Sequence, residues 1–349
     1  MKAGVFYGKG DLRIEERPMP RAGKGQMVVK IDYCGVCGTD MEAYKFEIVK
    51  PVIILGHENV GTVYEIGEGV TGFEVGQKVL CGPPSYCAEH CTSCRQGRPN
   101  ICDTGFARTA GIGGPDGGFA EYMLIQDVAH TMILPIPEGV DPRDAVLFDI
   151  ICVSLHGLRR SNFKFGDTVA ISGTGPIGLA AIQLAKAAGA RTVVAIGTNS
   201  AKFPLLKEYG ADVCINAKEC EDLAAEVRKA VGNKDGADVT LECAGNQPSL
   251  LNCIYKIARS GSQVIMVGIV PTPLDQVVLA PVIPREIDLI SSFVYTPEEV
   301  EMYLEMLAKG KIKFPGMVTD EVGLDDVVEK AVDRKDRTGM LKILLNPSL

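Results

Sequence analysis

The 349-residue chain has no surplus of positive charge: 36 Lys and Arg stand against 44 Asp and Glu, a formal net charge of −8. That argues against a sequence-independent nucleic-acid binder, since neutralising phosphates takes a Lys/Arg excess. The chain has no apolar run of the roughly 18 residues that a membrane helix needs. Its first residues, MKAGVFYGKGDLRIEERP, lack the apolar core of a secretory signal. Repeats, low-complexity tracts and linkers are absent too. These absences lead us to expect a cytoplasmic protein with neither a nucleic-acid nor a membrane partner. The length suffices for two domains, and 46% apolar with 23% charged residues is a globular composition.

Cysteine is not scarce. Twelve would suggest disulfides in a small secreted chain, but in a long chain without a signal segment clustered cysteines more often bind metal or do chemistry. Seven of the twelve fall between Cys34 and Cys102. In the densest stretch, SYCAEHCTSCRQGRPNIC, Cys91, Cys94 and Cys102 are spaced C-x2-C-x7-C. A further cysteine at C-x2-C spacing before Cys91 is missing. Ala88 stands there, Cys87 comes one step too early, and His90 is adjacent to Cys91. The other five cysteines are scattered and read as small buried hydrophobes.

The first 140 residues read as β-rich, with short β-branched runs such as GQMVVKIDYCGV, NVGTVYEIG and GQKVLCGPP broken by glycine and proline. Near Phe163 the character changes to alternating strands and helices, from GDTVAISGTGPIGLAAIQLAKAAGA to GSQVIMVG, which predicts an α/β unit with a doubly wound parallel sheet. After about residue 287 the alternation is expected to end, leaving the amphipathic helix PEEVEMYLEMLAKG and a closing strand, MLKILLN. The expected domains are 1–150, with 287–349 returning to it, and 151–286.

SGTGPIG supplies G-x-G-x-x-G at Gly173, Gly175 and Gly178, between the strand TVAIS and a long apolar helix. A bare match is weak evidence, because glycine-rich turns are common and an ordinary βα turn is the alternative; this context favours a dinucleotide site. Gly173 permits the tight turn, Gly175 lets the pyrophosphate approach, and Gly178 lets helix and strand pack closely. Pro176 suits the first helical turn, where a missing N–H costs nothing. Ile177, Val267 and Phe293 are further expected cofactor contacts. At the end of the next strand NAD sites usually carry an acid. Here Gly197, Thr198 and Asn199 offer none, the arginine usual for NADP is missing as well, and Lys202 is the nearest cation. The reading is NAD or NADP, leaning to NADP.

Cys37 in YCGVCGTD and His57-Glu58 in LGHENVG supply a thiolate, an imidazole and a carboxylate, a set that suits Zn²⁺. Separately each is weak: a lone cysteine in an apolar run is usually core, and His-Glu pairs are common on surfaces. Cys34-x2-Cys37 also fits a redox pair, though one expected to lack the helix N-terminus such motifs favour.

Taken in order, GVCGTD, GHE, the cysteine lobe, GGFAEY (Gly117–Tyr122), SGTGPIG and SSFVYTPEEV (Ser291–Val300) carry a resemblance over essentially the whole chain. It resembles the zinc-dependent medium-chain dehydrogenases, and within them the sorbitol/polyol and threonine dehydrogenase-like branch. The resemblance implies a GroES-like β-rich catalytic domain and a Rossmann cofactor domain. It implies a catalytic zinc held by Cys37, His57 and Glu58, with a further carboxylate nearby. Where relatives have Glu-Pro-Leu this chain has FDIICVSLH, which puts Asp149 at that place, either on the metal, on its water, or exchanging between the two. Thr39 matches the family hydroxyl that takes the alcohol proton. Glu42 stands where a histidine commonly follows, as terminal base or bystander. The span from Cys37 to His57 is short for the branch, which alters the substrate rim, where Tyr44, Phe46, Arg108 and Phe293 are plausible contacts.

The resemblance further implies a second, structural zinc in the cysteine lobe, on Cys91, Cys94, Cys102 and a fourth ligand. We take Cys87 over His90, because a thiolate matches the other three and one extra loop residue costs little; the alternative is a reduced lobe without metal. The implied activity is hydride transfer between a nicotinamide and a secondary alcohol or ketone, such as a polyol, sugar alcohol or hydroxy-amino acid, in a homo-oligomer (dimer or tetramer). The rivals are a zinc-free quinone or enone reductase on the same fold, which would not need Cys37, His57 and Glu58, and a non-catalytic nucleotide-binding protein.

Overall fold

The computed structural model describes residues 1–87, 90–275 and 277–349; Ala88, Glu89 and Gln276 lie outside it. The chain forms two compact units, Met1–Asp149 with Val294–Leu349, and Ile150–Phe293.

The first unit is built on a sheet with strand order Val318–Val322, Lys342–Leu345, Met27–Val36, Glu58–Ile66, Lys78–Ser85 and Thr131–Pro135, with Tyr122–Ile125 pairing onto Met27–Lys30. A smaller sheet joins Asp11–Glu16, Lys2–Gly8 and Ile53–Ile54. The β-branched run MVVKIDYCGV forms the central strand because both its faces are covered; seven of its ten residues are buried. The pairing is antiparallel on both sides, with Gly35 opposite Glu58 and Leu344. Antiparallel register brings the end of one strand to the beginnings of its two neighbours, so Cys37, Glu58 and Lys342 meet at one end of the sheet.

The second unit is a six-stranded parallel sheet in the order Val213–Asn216, Thr192–Gly197, Thr168–Ser172, Ala237–Glu242, Ala258–Met266 and Asp288–Ser291. The central strand TVAIS is buried throughout, as expected of a sheet covered on both faces. The strand Asp288–Ser291 corrects the expectation that alternation stops near 287. It is an edge strand with three of its four residues exposed, so it carries no apolar signature to read. The helix Pro176–Ala187 follows the glycine turn, is rich in Ala and Leu, and buries Leu179, Ile182 and Leu184 among others, each worth about 1.5–3 kcal/mol. Among the described residues no helix is long and apolar enough to cross a membrane.

Back in the first unit, the helix Pro297–Ala308 opens with a proline at its start and a capping box between Thr296 and Glu299. It buries Val300, Tyr303 and Leu304.

Candidate active site and metal centres

Cys37 directly follows the central strand and N-caps the helix Gly38–Phe46. The expectation that no helix N-terminus accompanies Cys34-x2-Cys37 is therefore overturned. What argues against a redox pair is Cys34 itself: it is buried, and burial pushes its thiol well above the usual range. His57 and Glu58 open the neighbouring strand, and Asp149 lies in the first turn of the helix Phe148–Arg160. One ligand atom from each of Cys37, His57, Glu58 and Asp149 lies within 4.8 Å of all the others.

Three residues that the sequence reading passed over surround this cluster. Asp40 is buried; its Oδ2 accepts from the Cys37 N–H at 2.9 Å and its Oδ1 from the Gly56 N–H at 3.2 Å. Asp40 Oδ1 also lies 3.6 Å from His57 Nδ1, an electrostatic contact too long for a hydrogen bond. Lys342 Nζ forms an ion pair with Glu58 Oε2, with both side chains buried. Tyr295 donates from its hydroxyl to Asp149 Oδ1 at 2.7 Å. The one local signal for the Lys342–Glu58 pair is Gly35: a Cβ there would fall on Glu58 Oε2 and lie 2.8 Å from Lys342 Cε, so only glycine lets the pair cross the strand.

A divalent cation fits this donor set. Glu58 Oε1 is buried without a hydrogen-bond partner, a costly state for a polar atom unless something else takes its lone pairs. Burial pushes the Glu58 carboxyl up to about 7, partly offset by Lys342. Burial pulls the His57 imidazole down, but Asp40 and Cys37 outweigh it and hold it well above the usual value. A metal would therefore compete with protons for these groups.

The cysteine lobe forms the second such group. Sγ atoms of Cys87, Cys91, Cys94 and Cys102 all lie within 4.8 Å of one another, with Cys87 3.7 Å from Cys94 and Cys91 4.0 Å from Cys102. Cys87 Sγ accepts from the Cys91 N–H and Cys91 Sγ from the Cys94 N–H. Backbone N–H groups of Cys94 and Asp103 draw the Cys91 thiol down to about 6, so it is readily a thiolate. His90 is exposed, and its carbonyl accepts from Arg95. The structure thus brings Cys87 to the other three sulfurs, one residue early by spacing, and leaves His90 outside the group.

Thr39 Oγ1 lies 3.6 Å from Cys37 Sγ, whereas Glu42 is on the exposed face of its helix. Tyr44 is half-buried and Phe46 exposed. Arg108 pairs with Asp127 at 3.2 Å and lines a cavity of about 360 Å³ whose walls include none of the four cluster residues.

In the second unit Gly173 has φ +116°, and a Cβ there would lie 2.7 Å from Ala244 N, so the turn is seated on the loop after the strand Ala237–Glu242. Buried Glu242 fixes that loop by accepting the N–H of Ala244 at 2.9 Å and of Gly245 at 3.1 Å. A Cβ at Gly178 would fall on Gly173 O, while one at Gly175 would meet open space. The helix that begins at Pro176 therefore presents its N–H groups and dipole beside Gly175, where no side chain crowds the backbone, a setting for phosphate. Ile177 O accepts from Ser154. Gly197 is buried, Thr198 and Asn199 are exposed, and Asn199 caps the next turn through Ala201 N–H. Lys202 Nζ reaches Thr174 O at 3.3 Å, placing its charge on the glycine turn. Val267 is buried and Phe293 is 54% exposed.

Residues 23–138 match the model of an alcohol dehydrogenase GroES-like domain, and residues 176–309 that of a zinc-binding dehydrogenase. A sorbitol dehydrogenase of Halalkalibacterium halodurans is 32% identical over 98% of this chain and 97% of its own. The chain belongs to the zinc-dependent medium-chain dehydrogenase family. An L-threonine 3-dehydrogenase of Stenotrophomonas maltophilia is 34% identical over 74% of each chain. A zinc-binding dehydrogenase of Sinorhizobium meliloti 1021, bound to NADP in its crystal structure, superposes with a TM-score of 0.91 at 30% identity over 99% of both chains. The enzyme is an alcohol oxidoreductase of the zinc- and NAD(P)-dependent type, with a GroES-like and a Rossmann-type unit.

Proposed function

We propose that the enzyme oxidises a secondary alcohol in a polyol, sugar alcohol or hydroxy-amino acid to a ketone, with one catalytic and one structural zinc per chain. The observation that carries this reading is the convergence of Cys37, His57, Glu58 and Asp149, with a buried Glu58 oxygen left unpartnered. Bound to these four residues, zinc supplies a Lewis acid that polarises an alcohol or carbonyl oxygen. Around that centre the chain contributes charge and proton handling. Lys342 offsets one carboxylate of an otherwise anionic cluster, and Asp40 anchors the Cys37 backbone and sits behind His57. The Thr39 hydroxyl, beside Cys37, relays the substrate proton towards the cofactor ribose, releasing its own proton as it accepts one; Glu42, on the exposed face of the helix, is the candidate terminal base. The lobe of Cys87, Cys91, Cys94 and Cys102 holds the second zinc in an all-sulfur set, tying down a loop with little core of its own.

The cofactor site takes either nicotinamide dinucleotide, with a lean to NADP. In support, Lys202 already stands on the glycine turn, and no carboxylate at Gly197, Thr198 or Asn199 opposes a 2′-phosphate. The S. meliloti relative binds NADP. We place the enzyme in the cytoplasm as a homo-oligomer, a dimer or tetramer. The decisive experiment assays a panel of polyols and amino alcohols with both cofactors, alongside elemental analysis of the pure protein. Activity on a secondary alcohol with two zinc ions per chain is expected; a protein with no bound metal would sink the mechanism.

A further inference from the structure

We propose that Tyr295 is a positioning residue of the metal centre, holding Asp149 in a single orientation through its hydroxyl. The inference rests on reading Cys37, His57, Glu58 and Asp149 as a zinc site. Asp149 is half-buried, and its Oδ1 accepts from the Tyr295 hydroxyl at 2.7 Å. The phenol is neutral, so it orients the carboxylate without adding a cation to compete for it, unlike the ammonium of Lys342 on Glu58. Tyr295 has no freedom to follow a moving partner. Its side chain is buried, and its ring stands edge-on to Phe148, the residue before Asp149, at 6.1 Å and 82°. It thus grips the start of the helix Phe148–Arg160 at two successive residues.

The backbone that presents Tyr295 is also constrained. Val294 has φ +54°, a conformation that a β-branched residue rarely adopts. Immediately after Tyr295, the Thr296 N–H donates to Glu299 Oε2 at 2.8 Å, closing the capping box of the next helix. Strained backbone of this kind persists where surrounding structure over-determines it, and it clusters at working sites. Here it turns one hydroxyl onto one carboxylate of the metal cluster. An aspartate arm is one methylene shorter than a glutamate's and has one fewer rotatable bond. The shorter arm and its fixed partner replace reach with orientation, the usual task of groups that hydrogen-bond to a metal ligand.

The test uses the full-length, zinc-loaded enzyme. Tyr295→Phe removes one oxygen and keeps the ring. Zinc affinity of the cluster, read by competition with a chromophoric chelator, should fall about 10- to 100-fold. The second zinc in the cysteine lobe should be retained, and the melting temperature should change little. In a Co²⁺-substituted sample the visible spectrum should change in Tyr295→Phe. In an Asp149→Ala background, which has no acceptor for the hydroxyl, the same Tyr295→Phe change should alter metal affinity by less than about twofold, because its effect runs through the carboxylate. Affinity within about twofold of the parent, or an equal loss in the Asp149→Ala background, would overturn the role of Tyr295 alone. A parent enzyme holding one zinc, unaffected by Cys37→Ser, would overturn the zinc reading and this inference with it.

Discussion

A carboxylate introduced at residue 197 tests how the enzyme selects its cofactor. Gly197 closes the strand Thr192–Gly197, where NAD sites usually carry an acid that bonds the ribose. The single change Gly197→Asp is a poor perturbation, however. Its Cβ would lie 2.5 Å from Thr174 Cγ2 and 2.8 Å from Thr174 Oγ1. Threonine is stiff at χ1, so the strain would pass to the glycine turn and weaken both cofactors. With Thr174→Ala added, only the 3.3 Å approach to the residue 174 Cβ remains, which a small shift relieves. In the double variant NAD gains hydrogen bonds to a charged acceptor, about 1.5–3 kcal/mol. NADP loses about 1 kcal/mol per like-charge pair in contact through water, roughly doubled because a phosphate monoester carries nearly two charges. The sum is about 4 kcal/mol, roughly a thousandfold shift towards NAD in the ratio of kcat/KM values. Steady-state assays with both cofactors on the parent, both single variants and the double variant measure it. A double variant whose ratio moves by less than about tenfold would refute the reasoning. So would a parent that already prefers NAD by more than about a hundredfold, roughly 2.7 kcal/mol.

Lys342→Met keeps the stem and removes the charge, leaving Glu58 buried and unpaired; denaturant unfolding of the chelator-treated protein should show a loss of about 3–5 kcal/mol, smaller with zinc bound, and a loss below about 1 kcal/mol would refute the pairing. Cys37→Ser should lose one zinc and all activity but keep its fold, whereas Cys94→Ser should lose the other and melt at a lower temperature. Cys87→Ala should weaken the structural zinc and His90→Ala should not; the reverse pattern in metal retention would show that the wrong ligand was chosen. Asp238 gives a pH test. Burial pushes its carboxyl up, but the Thr168 N–H and hydroxyl and the Arg259 guanidinium outweigh this and hold it below the usual range. A depressed folded pKa stabilises above the unfolded value, about 3.9, and that stability is lost as pH falls through the folded value. Asp238→Asn should therefore flatten the acid limb of the stability curve below about pH 4, and an unchanged limb would count against the network.

What could be read from the sequence was what lies close together in it. Cys37, His57 and Glu58 sit in short motifs, and the glycine turn lies between a recognisable strand and helix. Lys342 and Tyr295 could not be read in this way. LKILL reads as a strand with an outward lysine, because no local pattern tells of a carboxylate partner 284 positions away. Tyr295 looks like any aromatic before a helix. The strand Asp288–Ser291 was missed for the opposite reason, being exposed at an edge where burial imposes no pattern. Asp40 was hidden in plain view: it sits in the quoted GVCGTD motif, but its bonds to Cys37 and Gly56 belong to the folded backbone.

The return of Val294–Leu349 to the first unit also sets a timetable for synthesis. By the time Asp149 has been made, all eight candidate zinc-binding side chains exist, but the phenol and ammonium that support the two carboxylates do not. At about 5–20 residues per second, Lys342 follows Asp149 by roughly ten to forty seconds. Throughout that interval the nascent chain carries unpaired backbone beside Cys34–Val36, where Ile343–Leu345 will later pair, while Met27–Lys30 already has Tyr122–Ile125. The central strand of the first unit is thus left waiting for its partner while the entire second unit emerges and folds. This interval is where chaperone engagement, premature metal capture and aggregation would compete with productive folding.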